Sequence, residues 1–342
     1  MVAVLLVVRR LLRESTATVF NLDKMGYASD LTSIEEVLAE LEDGAEQRHV
    51  LQKIDLANAA AVQQAVEQAN PDLVMHLAAE SHVDRSISGP NVFIESNVTG
   101  TFNLLQAVRR HYEQLTGKRK EQFRLHHIST DEVFGSLGTE GRFSETTPYD
   151  PRSPYSASKA ASDHLVSAWH HTYGLPVVIT NCSNNYGPWQ FPEKLIPVVI
   201  LKAAAGESIP LYGDGLNVRD WLYVEDHVDA LLLAASRGQN GKSYGVGGHG
   251  ERTNLEVVEA ICKQLDQEKP KTSSHITTRS SRNQLRHGNA HPVSARGLRS
   301  GAVHRIKSKQ SERAMAAATK NPGNVDAVPA RLRLLRAWIF GD

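Results

Sequence analysis

The chain lacks the features that mark several classes of protein. Only two of its 342 residues are cysteine, Cys182 and Cys262, and they lie far apart without metal-ligand spacing, which excludes a disulfide framework and suits a reducing compartment. No apolar run approaches the ~18 residues that a membrane span needs. The opening MVAVLLVV has no basic residue before it and no small-residue cleavage site after it, unlike a signal peptide. We therefore expect a cytoplasmic protein without a membrane partner.

Net charge is also absent, since 38 Lys and Arg balance 38 Asp and Glu. The balance conceals an asymmetry: residues 271–342 hold 14 basic and 3 acidic residues, which leaves 24 basic and 35 acidic residues in 1–270. The basic end is either a nucleic-acid-binding extension or unrelated sequence, such as an out-of-frame end. We favour the second interpretation, because the segment lacks interleaved aromatic residues and any nucleic-acid motif.

Nucleic acid is accordingly not an expected partner. With so little apolar surface to offset its conformational entropy, the segment 271–342 is expected to be poorly ordered. Its last part, ARLRLLRAWIF at 330–340, has an amphipathic pattern that predicts a helix.

Short apolar strands alternate with amphipathic helices up to about residue 180. The predicted strands are TVFNLD (18–23), HVLQKIDL (49–56), DLVMHLAA (72–79) and FRLHHIST (123–130), and the predicted helices are 33–41, with Ser33 as its cap, 57–70 and 91–110. Strands spaced by helices in this way predict an α/β fold with a parallel sheet.

Acidic and polar residues follow the predicted strands. Asp23, Asp55, Ala78–Ser81 and Thr130–Glu132 all stand at predicted strand ends. Because ligands bind at the carboxyl ends of parallel strands, these residues are expected to line one crevice. After residue 180 the sequence becomes irregular and rich in Pro, Gly and Asn, which predicts a smaller lobe that closes over the ligand.

The segment YSASK places Tyr155 and Lys159 four residues apart, on one face of a helix. An ammonium at that distance can lower the pKa of the phenol and make the tyrosine a usable base. The spacing alone is weak, because it also fits an exposed helix start after Pro154. A hydroxyl at a strand end, Thr130, strengthens the catalytic interpretation, since the three groups could converge on one substrate hydroxyl.

Three acids also have two interpretations each. Asp23 ends the first predicted strand, where an acid can bind the adenosine ribose of NAD, although an Asp before a turn is more often a turn residue. Asp131 and Glu132 fit an ordinary acidic first turn behind a helix cap. They also fit water elimination, in which one group removes a proton from carbon and its neighbour protonates the departing hydroxyl.

Five motifs together resemble the dTDP-glucose 4,6-dehydratase family of the extended short-chain dehydrogenase/reductases: STDEVFG, YSASK, LAAESHVDRSI, SNNYGPWQFPEKLIP and YGDGLNVRDWLYVEDH. The resemblance spans about residues 10 to 268. It implies a Rossmann-like, doubly wound parallel sheet with a smaller C-terminal substrate-binding lobe. The implied division is an NAD-binding domain at 1–180, a partial substrate lobe at 181–270 and a basic tail, outside the family pattern, at 271–342.

The resemblance also implies the reaction. Tyr155, assisted by Thr130 and Lys159, would take the C4 hydroxyl proton while hydride passes to NAD, and Glu132 and Asp131 would eliminate water across C5 and C6 before the hydride returns to C6. The implied NAD contacts are Asp23, Lys24, Asp55, Leu56, Leu77, Ala78, Ala79, Glu80, Ser81, Ser96, Tyr155, Lys159 and Asn185. The implied contacts to dTDP-glucose are Ser81, Thr130, Asn184, Lys194, Leu195, Pro210, Leu211, Tyr212, Arg219 and Asn254. No metal is implied, and the family suggests a homodimer.

One family element does not match. The family begins with a strand and a Gly-rich turn that holds the NAD pyrophosphate, whereas the first glycine here is Gly26. VVRRLLREST aligns with the helix that follows that turn, so the first strand and the loop are missing or replaced by MVAVLL, which could serve as a surrogate strand. Two alternative functions stay open: another nucleotide-sugar epimerase or decarboxylase of the same family, and a degenerate inactive relative with a basic binding tail.

Overall fold

The computed structural model of the protein describes residues 2–41, 44–137, 141–268 and 276–279. The strands are β1 (Val19–Asp23), β2 (His49–Lys53), β3 (Leu73–His76), β4 (Arg124–Thr130), β5 (Val177–Cys182), β6 (Asn184–Tyr186), β7 (Ile209–Tyr212), β8 (Val218–Tyr223), β9 (Lys242–Val246), β10 (Glu251–Thr253) and β11 (Ile276–Arg279). The helices are α1 (Val2–Glu14), α2 (Thr32–Glu40), α3 (Ala59–Ala69), α4 (Val83–Ser88), α5 (Asn91–Phe93), α6 (Gly100–Gln114), α7 (Gly117–Gln122), α8 (Pro154–Tyr173), α9 (Leu195–Ala205), α10 (Val224–Arg237) and α11 (Asn254–Glu268). A π-helical segment, Ile94–Thr99, joins α5 to α6, and two short 3-10 helices span Ala45–Arg48 and Asp131–Phe134.

The central sheet is parallel, as the alternation of strands and helices predicts. Its four strands lie in the order β3-β4-β5-β9, and β1 pairs with β2 in a separate parallel sheet. One face of the central sheet packs on α3, α6 and α8, and the other packs on α1 and α10. Successive strand residues point to opposite faces, so Leu125 enters the first core while Ile128 enters the second. Helices on both faces confirm the doubly wound α/β fold.

The N-terminal segment is helical, and the proposal that MVAVLL forms a surrogate strand is wrong. The buried residues of α1 include two pairs four positions apart, Ala3 with Val7 and Val8 with Leu12, which is a helical period. This face packs on α2 and α10, and its first turn contacts Leu77 beyond β3. Among the described strands, β1 and β3 are not hydrogen bonded to each other.

The start of α2 also differs from its prediction. The helix begins at Thr32, and Asp30 accepts hydrogen bonds from the backbone N–H and the hydroxyl of that residue, at 2.8 and 2.7 Å. Ser33, the predicted cap, is instead buried in the first turn with a relative exposure of 1%. The helix predicted over 57–70 is α3, which begins two residues later, after its cap Asn58, and ends at Ala69 with Asn70 as its C-cap, directly before Pro71.

The second lobe has its own core. Strands β6, β8 and β10 form one sheet, β7 pairs with β11, and residues from α9, α11 and these strands pack around Ile196, Trp221 and Val257. The structure differs from a single boundary at residue 180, because α10 and β9 return to the central sheet of the first lobe. Of the segment 271–342, only β11 is described, and the predicted helix at 330–340 lies outside the described residues. No described helix is both long enough and apolar enough to cross a membrane.

Candidate active site

The acid pair lies at the carboxyl end of β4. The strand ends at Thr130, whose Oγ1 accepts a hydrogen bond of 3.3 Å from the backbone N–H of Glu132 and caps the 3-10 turn Asp131–Phe134. The turn ends at Gly135, where φ is +83° and a Cβ would collide with the Asp150 carbonyl, so glycine is required. The capped acidic turn predicted as the structural alternative is therefore present, and it fixes where both carboxyls stand.

Burial and charge give the two carboxyls unusual acidities. Burial and the neighbouring charge of Glu132 raise the pKa of Asp131 to about 7, against the opposing influence of Arg219. Burial also raises the pKa of Glu132, while the charges of Arg219 and Lys194 lower it. Arg219 and Lys194 both come from the second lobe, so cations from that lobe act on acids of the first. Near neutral pH Asp131 can thus donate a proton, directly beside a second carboxyl.

Tyr155 and Lys159 lie inside the protein at the start of α8. Ser153 forms a capping box with Ser156, and Pro154 occupies the first turn, which sets the start of the helix. The phenol and the ammonium are 8% and 4% exposed, so the alternative of an exposed helix start is wrong. Tyr155 shares a hydrogen bond with Thr130, which brings the hydroxyl, the phenol and the acid pair together as predicted.

One electrostatic expectation is not met. Burial and the charge of Glu132 raise the pKa of Tyr155 well above its ordinary value. Lys159 donates its hydrogen bond to the carbonyl of Ile128, at 2.9 Å, and not to the phenol. The expected lowering of the phenol pKa by Lys159 is therefore absent in this arrangement, because the ammonium bonds to β4.

Four of the residues predicted to bind NAD meet where β1 and β3 end. Asp23, the last residue of β1, accepts hydrogen bonds from the backbone N–H of Met25 and the hydroxyl of Ser29, at 2.7 and 2.9 Å. Lys24 forms an ion pair with Glu80 and donates to Ser96 at 3.3 Å. Asp23 therefore acts as a turn residue, as its alternative interpretation states, and stands at a strand end, as its ribose-binding interpretation requires.

The other residues predicted to bind NAD lie on different elements and differ in their contacts. Leu77, Ala78, Ala79 and Ser81 follow β3, Asp55 and Leu56 follow β2, and Asn185 lies in β6. Asp55 accepts from the N–H of Ala57 at 2.9 Å, and Leu56 packs so closely on Gly100 that a Cβ there would displace it. The Oδ1 of Asn185 is buried without a hydrogen-bond partner in the described part of the chain.

The predicted substrate residues divide into two groups. Arg219 and Lys194 act on the acid pair, and Lys194 also donates to the carbonyl of Ser81 at 3.1 Å, which ties the second lobe to the end of β3. The others are two residues of the first lobe, Ser81 after β3 and Thr130 at the end of β4, and six residues in elements of the second lobe: Asn184 in β6, Leu195 in α9, Pro210, Leu211 and Tyr212 in β7, and Asn254 in α11. The side chain of Leu211 is buried in the core of that lobe, so only its backbone is available to a ligand.

Two groups of residues near the site were not predicted. Asp163 lies one helical turn beyond Lys159 and joins β4, β5 and α8; its signal, a carboxylate four residues after the lysine, is present in the sequence. The second group connects the lobes: the hydroxyl of Tyr27 donates to Glu193, and the guanidinium of Arg85 lies 3.8 Å from the centre of the Tyr27 ring. No local sequence pattern links these three residues, because each is 58 or more positions away from the next along the chain.

Known proteins match this architecture. The family model described as GDP-mannose 4,6 dehydratase matches residues 6–297. The dTDP-glucose 4,6-dehydratase of Xanthomonas campestris pv. campestris is 56% identical over 253 residues, which cover 74% of this chain and 70% of that relative. The crystal structure of dTDP-glucose 4,6-dehydratase from Bacillus anthracis in complex with NAD has a TM-score of 0.67 and 37% identity, covering 84% of this chain and 82% of that one.

A second solved structure, the dTDP-glucose 4,6-dehydratase DesIV from Streptomyces venezuelae with NAD bound, has a TM-score of 0.72 and 33% identity over 98% of this chain and 94% of that one. The shared sequence and fold identify the family of this chain. The acid pair, the buried Tyr155 and Lys159, and the two cations from the second lobe are consistent with it. The chain belongs to the dTDP-glucose 4,6-dehydratase family of the extended short-chain dehydrogenase/reductases.

Proposed function

We propose that the protein converts dTDP-glucose to dTDP-4-dehydro-6-deoxyglucose. The observation that carries the proposal is the turn Asp131–Glu132, where a carboxyl with a pKa of about 7 stands beside a second carboxyl and within the influence of Arg219. An epimerase needs no such pair, since epimerisation at C4 eliminates no water. The relatives named dTDP-glucose 4,6-dehydratase support the same reaction.

For NAD, the residues present fit in part. Asp23 at the end of β1, the cluster of Lys24, Glu80 and Ser96, and the unpartnered Oδ1 of Asn185 supply ribose- and amide-binding groups. The first residues of α1, Val2 and Ala3, pack on Val224. The solved relatives that contain NAD support NAD as the cofactor, held chiefly by the residues after β1, β2 and β3.

Each of the chain's own groups has a step in this reaction. Tyr155 removes the proton of the C4 hydroxyl, and the ammonium of Lys159, one helical turn away, is the positive charge that favours the ionised phenol this step needs. NAD, when bound, supplies the hydride acceptor for C4 and the hydride donor for C6. Glu132 removes the C5 proton, which the C4 ketone acidifies, and Asp131 protonates the C6 hydroxyl so that it leaves as water. Glu132 gives the proton back to C5 when C6 is reduced. Arg219 suits the diphosphate, because its planar fork pairs with phosphate oxygens.

The two lobes divide this work. We propose that the first lobe, including the returning α10 and β9, binds the dinucleotide and carries the chemistry, and that the second lobe binds the nucleotide sugar.

Product analysis tests the proposed function. The full chain is incubated with dTDP-glucose and NAD, and the nucleotide sugar is examined by mass spectrometry and NMR. Loss of one water with a C4 carbonyl supports the dehydratase. An isomer of unchanged mass would instead identify an epimerase, loss of carbon dioxide from a uronic acid analogue a decarboxylase, and no reaction by a folded sample the degenerate relative.

We also propose a cytosolic homodimer, formed through the face that α6 and the π-helical segment share with α8. Ile94 and Phe102 are 49% and 40% exposed on the first of these helices, and Tyr173 is 45% exposed at the end of the second. Phe102 packs edge-on against Trp169, so the two helices present one continuous apolar surface. Such a surface on two long helices is typical of an interface between subunits.

Ile94→Glu is expected to convert the dimer to a monomer, because a carboxylate at the centre of an apolar interface loses its hydration without gaining a partner. Light scattering coupled to size exclusion measures the mass. Leu201→Glu is the matched control, since Leu201 is 55% exposed on α9 in the other lobe and should leave the mass unchanged. A wild-type chain that elutes as a monomer at micromolar concentration would contradict the proposal.

A further inference from the structure

Asp163 is a buried carboxylate behind the catalytic groups. It is 2% exposed and lies four residues after Lys159 on α8, so both side chains leave the same face of the helix. Lys159 is 4% exposed, and its ammonium donates to the carbonyl of Ile128. A buried carboxylate and a buried ammonium one turn apart are each a large cost alone, and each offsets the charge of the other.

Four side chains donate hydrogen bonds to this carboxylate. Its Oδ1 accepts from Nε2 of His127 at 3.0 Å, and its Oδ2 accepts from the hydroxyl of Ser129 at 2.8 Å, the hydroxyl of Tyr149 at 2.9 Å and the amide of Asn181 at 3.2 Å. The donors come from β4, from the loop before α8 and from β5. A carboxylate with this many donors is held in its ionised form.

The network reaches the residues that perform the chemistry. The Nδ2 of Asn181, besides binding Asp163, donates to the carbonyl of Thr130 at 3.2 Å. His127 and Ser129 flank Ile128, whose carbonyl accepts from Lys159. The last four residues of β4 are therefore fixed to α8 by one carboxylate and one ammonium, directly before the acid pair begins.

The charges around Asp163 identify Lys159 as its counter-ion. Burial lowers the pKa of His127, whose ring packs on His76 of β3 at 5.1 Å between centroids, so both rings are neutral near pH 7. Burial would raise the pKa of Asp163, but the bond from His127 and the charge of Lys159 bring it below its ordinary value. Cys182, at the end of β5, also faces Lys159 and stays a neutral thiol because burial raises its pKa to about 12.

We propose that Asp163 is a positioning residue for the dehydratase reaction, acting as the fixed counter-ion that keeps Lys159 an ammonium and anchors the end of β4 beside Tyr155. The assignment of a catalytic consequence rests on the proposed function, whereas the pairing of the two charges does not. Without the carboxylate, burial alone acts on Lys159, and the ammonium loses its proton at a lower pH.

The first experiment compares Asp163→Asn with Tyr149→Phe. The asparagine keeps the shape and removes the charge, and the phenylalanine removes one donor from the same carboxylate and keeps its charge. Asp163→Asn should lower kcat by 10-fold or more with KM for dTDP-glucose changed less than about threefold. It should also move the alkaline limb of C4 oxidation, which is followed by formation of the reduced nicotinamide in a single turnover and does not depend on Asp131, about 1 to 2 pH units lower. Tyr149→Phe should leave the pH profile in place. Equal profiles for Asp163→Asn and the wild type, or equal shifts in both variants, would overturn the proposal.

The second experiment needs no activity and therefore separates this inference from the proposed function. Thermal unfolding is measured for Asp163→Asn, for Lys159→Met and for the double variant of the full chain. If the two groups are counter-ions, each single variant leaves one buried charge unpaired, and the double variant should melt above both single variants. Additive losses of melting temperature would show that the two side chains do not act as a pair and would overturn the proposal.

Discussion

Replacing Asp131 by asparagine will slow the loss of water about 10²- to 10⁴-fold, the usual contribution of a general acid, while oxidation at C4 proceeds. The asparagine keeps the size and the hydrogen-bonding capacity of the side chain but has no proton to give to the departing hydroxyl. The phenol of Tyr155 and the hydroxyl of Thr130, which serve the first step, are unchanged. The result should be an enzyme that starts the reaction and stops before elimination.

Two measurements separate the steps. A single-turnover experiment follows the absorbance of the reduced nicotinamide, which reports oxidation at C4, and exchange of the C5 proton with deuterated solvent reports the action of Glu132. In Asp131→Asn the first signal should form and persist. Tyr155→Phe is the matched comparison, because it should abolish both signals. Loss of C4 oxidation in Asp131→Asn as complete as in Tyr155→Phe would contradict the division of roles between the turn and α8.

The pH dependence follows from the same group. Burial and the adjacent Glu132 place the pKa of Asp131 at about 7, so its protonated form, which donates, is lost as the pH rises through neutrality. Elimination in the wild type should therefore slow by about 10-fold per pH unit well above pH 7. Asp131→Asn should lack this limb, since its amide does not titrate. If the rate fell at the same pH in the wild type and in Asp131→Asn, the loss of rate would belong to another group.

The sequence predicts the positions of the site residues better than it predicts the residues that hold them in place. Parallel strands present their carboxyl ends at one edge, so the positions of Asp23 and Thr130 follow once the alternation of strands and helices is recognised. The pair of Tyr155 and Lys159 follows from helical spacing. These predictions succeed because each depends on a local period and on one general property of parallel sheets.

The residues that hold the site in place depend on contacts between segments that are distant in the sequence. The donors to Asp163 come from positions 14 to 36 residues away along the chain, and no period links them. The six residues MVAVLL were proposed as a surrogate strand because the family pattern places a strand before the helix with which VVRRLLREST aligns. Contacts with α2 and α10 instead make the chain helical from Val2 onward. The return of β9 to the central sheet is likewise decided by pairing with β5 and not by its own sequence.

Mild acid should destabilise the folded protein steeply. His126 and His227 are 0% and 1% exposed, and burial lowers the pKa of each to about 3. In the unfolded chain both titrate near the ordinary value of ~6.5, so below that pH the unfolded state binds more protons than the folded state. The contribution of the two neutral rings to the free energy of unfolding is fully present above about pH 6.5 and is lost as the pH falls towards 3. At pH 5 the two groups together should lower the free energy of unfolding by about 4 kcal/mol, at ~1.4 kcal/mol per pH unit for each.

Substitutions at His227 test this prediction more clearly than substitutions at His126. Neither of its ring nitrogens has a hydrogen-bond partner in the described part of the chain, whereas Nε2 of His126 bonds to the hydroxyl of Thr180 at 3.0 Å. Both His227→Leu and His227→Gln should remove the share of His227, about 2 kcal/mol, from the stability lost between pH 7 and pH 5, because neither side chain titrates. Only His227→Leu should also raise stability at pH 7, since it removes an unsatisfied buried polar group while glutamine does not.

Denaturant unfolding at pH 7 and pH 5, with the wild type beside the two variants, measures these differences. The m-value should stay constant, because the same surface is exposed in every case. A wild type as stable at pH 5 as at pH 7 would show that the two rings are reached by water in solution. A flattened profile in His227→Leu but not in His227→Gln would instead attribute the acid sensitivity to packing around α10, since both substitutions remove the charge that protonation would bring into the core.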